Sequence, residues 1–346
     1  MVPFAGFEMP VQYAGILKEH DAVRRRAGLF DLSHMGQFRL RGENVARWAD
    51  TLTINAVATM KPLQARYNIF CSRGGGAHDD TIFYRLEDDW LLVVNAANAE
   101  KMWQHLQQHR PADGVTLENR HGRDALIAIQ GPRSLAMLQP HADVDLASLR
   151  YYFSTRGLVN GVPAIIARTG YTGEDGFELF VDGSEASALW NALLRDHRAE
   201  GLEPCGLGAR DVLRLEAGMP LYGHELTEAI TPVQAGLTWA IKFDKPEFLG
   251  KDALQRQLER DEFPRIVGLI LEGRAPAREG YQVWFDGRVA GSVRSGSVAP
   301  AIGNRNIATA LVEREAAADG TRLAVEIRGT KHDATVVPMP FYKRAK

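Results

Sequence analysis

Apolar and polar positions alternate along this chain with two periods, and the periods change with position. Lys18 to Ala27 is charged and helix-favouring, and it ends at Gly28. Short apolar runs at Gln37–Leu40, Tyr67–Cys71, Thr81–Tyr84 and Trp90–Val94 are strand-length, and the last leads into a helical pattern over 97–109. Ala125–Ile129 and Val162–Ala167 are further strands, the second entered through the turn pair Asn160-Gly161. Ser184 is placed to cap a helix with Leu189, Trp190, Leu193 and Leu194 on one face, closing near Gly201. A second helix is predicted from Ala209 to Ala217, stopping at Gly218. After Asp244 the character changes. Lys245–Asp261 is a charged connector with a short helix, and from Arg265 onward the chain reads as strands. Val283 and Phe285 alternate before Asp286-Gly287, a two-residue hairpin signal, and Ala308–Val312, Leu323–Ile327 and Thr335–Val337 continue it. Short strands at this spacing predict a compact all-β barrel or sandwich of about 80 residues.

Composition narrows the class without naming a chemistry. The 346 residues allow two or three domains, and a net charge of −2 with no block of like charges argues against sequence-independent nucleic-acid binding. No apolar run approaches a membrane span, and no signal peptide is visible at the start. Two distant cysteines, Cys71 and Cys205, provide neither a disulfide framework nor a thiolate zinc cage. They read as buried small hydrophobes of a protein from a reducing, cytoplasmic compartment.

Three stretches could carry chemistry. Gly74-Gly75-Gly76-Ala77-His78-Asp79-Asp80 places two carboxylates after a flexible glycine turn. Read alone it is a hairpin tip with solvated acids, and no Lys-Ser/Thr follows to make it a phosphate loop. In a strand, Asp79 and Asp80 would point to opposite faces, so one at most could line a given cleft. Arg168 to Glu178 is a loop dense in Gly, Thr, Asp and Glu running into a strand, with Glu178 on the face opposite Phe177 and Leu179. Its acid spacing does not fit a calcium loop, and such an acid is ordinarily exposed. Arg210 and Arg214 are one helical turn apart; near a helix start an Arg can clamp a carboxylate or a planar ring, although surface ion pairs are commoner. His105 and His109 have metal-pair spacing but no evident third ligand, so a solvated helix face is expected.

These pieces occur together in one order. Leu29-Phe-Asp-Leu-Ser-His-Met-Gly36, Gly75-Gly-Ala-His-Asp-Asp80, Val93-Val-Asn-Ala-Ala97, Gln130-Gly-Pro132, Thr169-Gly-Tyr-Thr-Gly-Glu-Asp-Gly-Phe-Glu178, Ala209-Arg-Asp-Val-Leu-Arg-Leu-Glu-Ala-Gly218 and Leu221-Tyr-Gly223 follow the opening Met1-Val-Pro-Phe-Ala-Gly. In that order the chain resembles the aminomethyltransferase family, the T-proteins of the glycine cleavage system, over essentially its whole length. The family usually has a segment before Met-Val-Pro-Phe, so the start looks truncated, and Phe7 stands where Trp is usual.

The resemblance implies an α+β fold of three domains in a cloverleaf. Residues 1–245 would form two α+β subdomains, one inserted at roughly 40–135, with a connector at 246–264 and a barrel at 265–346. It also implies transfer of the methylene of an aminomethyl group, carried on the dihydrolipoyl arm of lipoylated H-protein, to tetrahydrofolate with release of ammonia. Tetrahydrofolate would be a co-substrate, with no metal, no nucleotide, no nucleic acid and no membrane involved. By match to the family motifs Asp80 is the catalytic acid and Asp79 structural. Glu178 accepts from the pterin donors, Arg210 clamps the same ligand, and Asn95, Tyr67 and Tyr342 line it; Tyr171 and Tyr222 are further candidate walls. Two rivals share the fold. One is a different tetrahydrofolate-dependent demethylase. The other is a non-enzymatic folate-binding iron–sulfur assembly factor, whose motif cysteine is missing from Leu221-Tyr-Gly-His-Glu225.

Overall fold

The computed structural model describes residues 1–273 and 275–344, so positions 274, 345 and 346 of the expected barrel region lie outside the described residues. The chain forms two compact units: Met1–Asn68 with Asp79–Arg210, and Ile69–His78 with Asp211–Lys346.

The first unit is built on two large sheets and carries a two-stranded ribbon, Val2–Phe4 with Phe7–Met9. The larger has the spatial order Ser154–Val159, Val162–Ala167, Gly176–Asp182, Asp124–Gln130, Ala27–Asp31 and Leu202–Pro204. All neighbours are antiparallel except the last pair. One face packs on helices: Phe177, Leu179 and Val181 alternate inward and are buried with Ile127, Ile129, Leu189 and Leu193. Removing Phe177 completely from water is worth about 1.5–3 kcal/mol, which fixes the register of its strand. The second sheet has the order Ala65–Cys71, Ala77–Arg85, Trp90–Val94, Gly36–Arg41 and Thr116–Asn119.

The second unit contains a closed six-stranded barrel: Arg265–Leu271, Arg305–Val312, Arg288–Ala299, Gln282–Phe285, Arg322–Ile327 and Thr330–Val337, which returns to the first strand. The predicted hairpin is present, with Asp286 and Gly287 at φ 47° and 79°, the left-handed pair that a two-residue turn needs. Val283, Val293, Ala310, Val325 and Val336 fill its interior. The mixed helix and strand content and the C-terminal barrel agree with the α+β expectation.

Several boundaries move. The first helix is Ile16–Arg25 and not Lys18–Ala27. Gly28 lies in a strand, where a Cβ would come within 2.4 Å of Val23 and 2.6 Å of Cys205. The helix carrying Leu189 spans Ala186–His197 behind a 3-10 turn. Asp182 caps that 3-10 turn, its carboxylate accepting the Ser184 N–H, so Ser184 is the capped residue and not the cap, and the helix itself starts after Glu185 without a side-chain cap.

Candidate active site

The glycine run makes the turn between two strands of the smaller sheet. Gly75 has φ 89°, and the Ser72 and Gly76 backbones bond across the turn at 2.9 Å. A Cβ at Gly76 would come within 1.8 Å of the Glu228 carbonyl oxygen, so only glycine fits there. The strand begins at Ala77, which places both aspartates inside the sheet and not at a solvated tip. Asp79 is completely buried, and Asp80 is partly exposed.

Register supplies the partners of the pair. Thr81 lies opposite Val94, so Asn95 arrives beside Asp80 at the end of its own strand. The Asn95 Nδ2 donates to Asp80 Oδ1 at 2.8 Å, to the Asp80 carbonyl at 3.0 Å and to Asp79 Oδ1 at 2.9 Å. From the other neighbouring strand, the Tyr67 hydroxyl donates to Asp80 Oδ2 at 3.1 Å. Burial, then the Asp80 charge and this hydrogen bond, push the Tyr67 hydroxyl well above its ordinary range, with the phenols of Tyr171 and Tyr152 adding to the effect. Tyr67 is therefore a committed donor.

Glu178 occupies the sheet face opposite Phe177 and Leu179, as its alternation requires, but that face is covered. Its cross-strand neighbours are Ala128 and Ala167, small enough to admit Tyr84. The Tyr84 ring packs edge-on against Phe180, with centroids 5.2 Å apart. Its hydroxyl donates to Glu178 Oε2 at 3.0 Å, and Thr169 Oγ1 donates to the same oxygen. Oε1 makes no hydrogen bond among the described residues. The expected exposed acid is thus buried at 7% exposure and half satisfied.

The loop before this strand is fastened both internally and to neighbouring elements. Arg168 forks onto Asp175 at 3.0 and 2.6 Å, Arg24 pairs with Glu174 at 2.9 Å, and the Gln130 amide donates to the Thr169 carbonyl at 2.9 Å. Its acids pair with Arg168 at the loop's start and with Arg24 of the first helix. Among the described residues no group of three or more His, Cys, Asp or Glu side chains is placed to hold a metal ion. No described helix is long and apolar enough to cross a membrane.

Arg210 enters from the first turn of helix Leu207–Glu216, its guanidinium 4.6 Å from the centre of the Tyr171 ring. A flat cation on an aromatic face is preorganised for a planar or carboxylate ligand. Beside it lies His34, buried, with Nδ1 unpartnered; burial, and then the Arg210 charge, push its imidazole down to about 4, so it is neutral. Arg214, on the same helix, is not a surface residue: it is buried in the second unit, pairing with Glu225 at 3.0 Å and donating to Ser295 at 2.8 Å.

The first unit therefore brings Tyr67, Asn95 and Asp80 into direct contact and stacks Arg210 on Tyr171, which neighbours Tyr67. Tyr222 and Tyr342 belong to the second unit. Tyr222 bridges to Leu226, and the Tyr342 N–H donates to the Glu216 carbonyl at 2.8 Å. Sequence reasoning missed Tyr84, Asn98, His34 and Tyr152. Tyr152 has φ 61°, a conformation that costs a bulky residue roughly 1–3 kcal/mol. Hydrogen bonds from its N–H to the Arg168 carbonyl and to its carbonyl from the Ala65 N–H hold it there, near Tyr67, Tyr84 and Glu178. Nothing in the local pattern announces it. Thr169 lay within the motif already singled out.

Comparisons with known proteins match this arrangement over the full chain. The family described as GCVT N-terminal domain matches residues 1–245, and the glycine cleavage T-protein C-terminal barrel domain matches residues 265–343. An aminomethyltransferase of Deinococcus deserti is 48% identical over 99% of this chain and 93% of its own length. One from Streptomyces coelicolor is 49% identical over 100% and 94%. The crystal structure of glycine cleavage system aminomethyltransferase T from Bartonella henselae superimposes with a TM-score of 0.92 at 34% identity, covering 99% of this chain and 94% of that one.

Proposed function

Because this chain belongs to the aminomethyltransferase family, the T-proteins of the glycine cleavage system, we propose that its Asp80, Glu178 and Arg210 clusters hold and activate tetrahydrofolate. The chain is an enzyme, a transferase of one-carbon units that uses tetrahydrofolate as substrate. In the reaction, the aminomethyl carbon on the dihydrolipoyl sulfur of H-protein gives up its bonds to sulfur and to nitrogen. It forms two bonds to nitrogens of tetrahydrofolate. The two protons those nitrogens lose balance the thiol and the ammonia that leave.

In this reading Asp80 is the reactive carboxylate. Tyr67 and Asn95 each donate to it, on different oxygens, which fixes its plane while leaving it partly exposed. A carboxylate so held stabilises positive charge on the departing carbon and accepts the proton that the attacking nitrogen sheds. Glu178 suits a ligand with ring N–H donors, because its Oε2 is filled by hydroxyls and Oε1 remains as an acceptor. Arg210 on the Tyr171 face supports the flat part of the same ligand. Tyr222 and Tyr342 are proposed as further ligand contacts on the family resemblance alone. The lipoylated H-protein is the proposed donor partner. The division at 1–245, with an insertion at about 40–135, then 246–264 and 265–346 is likewise proposed, as is a cytoplasmic location, which two buried free thiols suit.

The observation that carries the reading is the partly exposed Asp80 carboxylate with two fixed donors. Asp80→Ala should abolish methylene transfer from aminomethylated H-protein to tetrahydrofolate while the circular dichroism spectrum stays unchanged. Near-full turnover would remove Asp80 from the chemistry. Activity on a sulfonium methyl donor alone would favour the demethylase reading instead.

A further inference from the structure

Asp79 has no part in the reading above, yet it is tied to Asp80 through a single side chain. Its carboxyl group accepts the Asn95 backbone N–H at 3.1 Å and the Asn95 Nδ2 at 2.9 Å. That two-point clasp fixes the rotamer of Asn95. The second N–H of the same amide reaches Asp80 Oδ1 at 2.8 Å. Both contacts are acceptors, so the amide cannot flip without losing each of them. Asn98, one 3-10 turn further on, donates to Asp79 Oδ1 at 2.7 Å and holds Asp79 in turn. Asn98 is buried, and among the described residues its side chain donates to Asp79 and makes no hydrogen bond to Asp80.

The geometry points to Asp79 as a positioning residue of the transfer reaction: it locks the Asn95 amide, and that amide aims the Asp80 carboxylate. The inference rests on Asp80 being the reactive acid. Charge supports it. Burial and the neighbouring Asp80 charge push Asp79 up to about 8, against the three N–H donors that favour its anion. Asp79 faces the Asp80 carboxylate of its own strand, and Asp80 in turn accepts from the Tyr67 hydroxyl of the strand alongside. Two carboxylates this close disfavour ionising together, and of the two it is the buried Asp79 whose anion is pushed upward.

The test compares Asp79→Asn, Asn98→Ser and Asp80→Asn in the full chain, with lipoylated H-protein and tetrahydrofolate as substrates. Active sites are counted by tetrahydrofolate titration. Asp79→Asn should lower kcat per site at least tenfold, with KM and Kd for tetrahydrofolate within threefold. Asn98→Ser should lower kcat severalfold with the same split. A purely structural Asp79 would reduce the number of binding-competent sites and leave kcat per site within twofold, which would overturn the inference. If Asp79→Asn does not fold, Asn98→Ser decides by the same criterion. Asp80→Asn separates the two readings. If it is inactive while the other variants keep full kcat per site, only the positioning inference fails; if it retains turnover, the reading of Asp80 fails and takes this one with it.

Discussion

Replacing Glu178 by glutamine changes one atom and inverts one hydrogen-bonding role. In the native protein Oε2 is occupied by the hydroxyls of Tyr84 and Thr169, and Oε1 is left without a partner among the described residues. A glutamine amide would turn its oxygen toward those two hydroxyls, because they need an acceptor. Its NH2 then stands where Oε1 was, facing any ring N–H that a pterin presents. Hydrogen bonds to a charged group are worth about 1.5–3 kcal/mol each. Losing one outright and opposing a second therefore removes about 3 kcal/mol of binding, roughly a hundredfold in Kd. Fold stability should hardly change, since both buried hydroxyls keep an acceptor. Calorimetric titration of Glu178→Gln with tetrahydrofolate, paired with a thermal midpoint, checks both halves. A Kd within threefold of the native value would refute the assignment of Glu178 to the ligand. A collapse of the midpoint would show that the carboxylate mainly serves Tyr84 and Thr169.

Three other substitutions test separate parts of the argument. Arg210→Ala should weaken tetrahydrofolate binding by about 1–3 kcal/mol, and should let the His34 imidazole rise from about 4, because the guanidinium charge is the largest influence after burial that depresses it. An NMR titration with His34 unmoved would contradict the proximity. In the second unit, burial disfavours the Glu225 anion, but Arg214 and the Ser295, Thr309 and Leu221 donors outweigh it and hold its carboxyl below the ordinary range. That stabilisation is present above an unfolded value of about 4.3 and is lost as pH falls through the lower folded one. Arg214→Met should cost about 3–5 kcal/mol and reverse the sign, since a buried unpaired carboxylate loses stability as pH rises. Urea midpoints between pH 5 and 8 that match the native protein would reject the pair as a stabilising element. Gly76→Ala should cost at least about 2 kcal/mol, as its Cβ would overlap the Glu228 carbonyl, and an unchanged calorimetric midpoint would count against that contact.

Much of the fold could be read from periodicity because one face of each sheet is buried. Phe177, Leu179 and Val181 alternate with Glu178 and Phe180, and the observed core follows that alternation. Val283 and Phe285 before Asp286-Gly287 located a barrel hairpin. The long barrel strand Arg288–Ala299 was less visible: it is rich in Ser and Gly, and a bulge between Val293 and Ser295 breaks its alternation. The aspartate pair looked like a loop because Ala-His-Asp-Asp has no strand propensity. It lies all the same in the strand Ala77–Arg85, which runs between Ala65–Cys71 and Trp90–Val94, an effect of tertiary context on local preference. Glu178 was placed on the correct face but not in the correct environment. Whether the outer face of a strand meets water depends on what packs there, and Tyr84, 94 residues earlier, is what packs there. The residue types at the candidate site were legible through family motifs; the Asn98–Asp79–Asn95 chain of contacts was not, because it exists only once the strands are in register.

The closed barrel has no open strand edge, and each of the two large sheets of the first unit has one border that is a stub. The larger sheet ends at Leu202–Pro204, three residues of which the last has no N–H to offer a neighbour. The smaller one ends at Thr116–Asn119, four residues with Glu118 in an ion pair to Arg41. With a net charge of only −2, electrostatic repulsion does little to keep copies of this chain apart. Resistance to edge-to-edge association at these borders must come from strand length and a proline, so lengthening either stub would create an aggregation template without disturbing a single residue of the candidate active site.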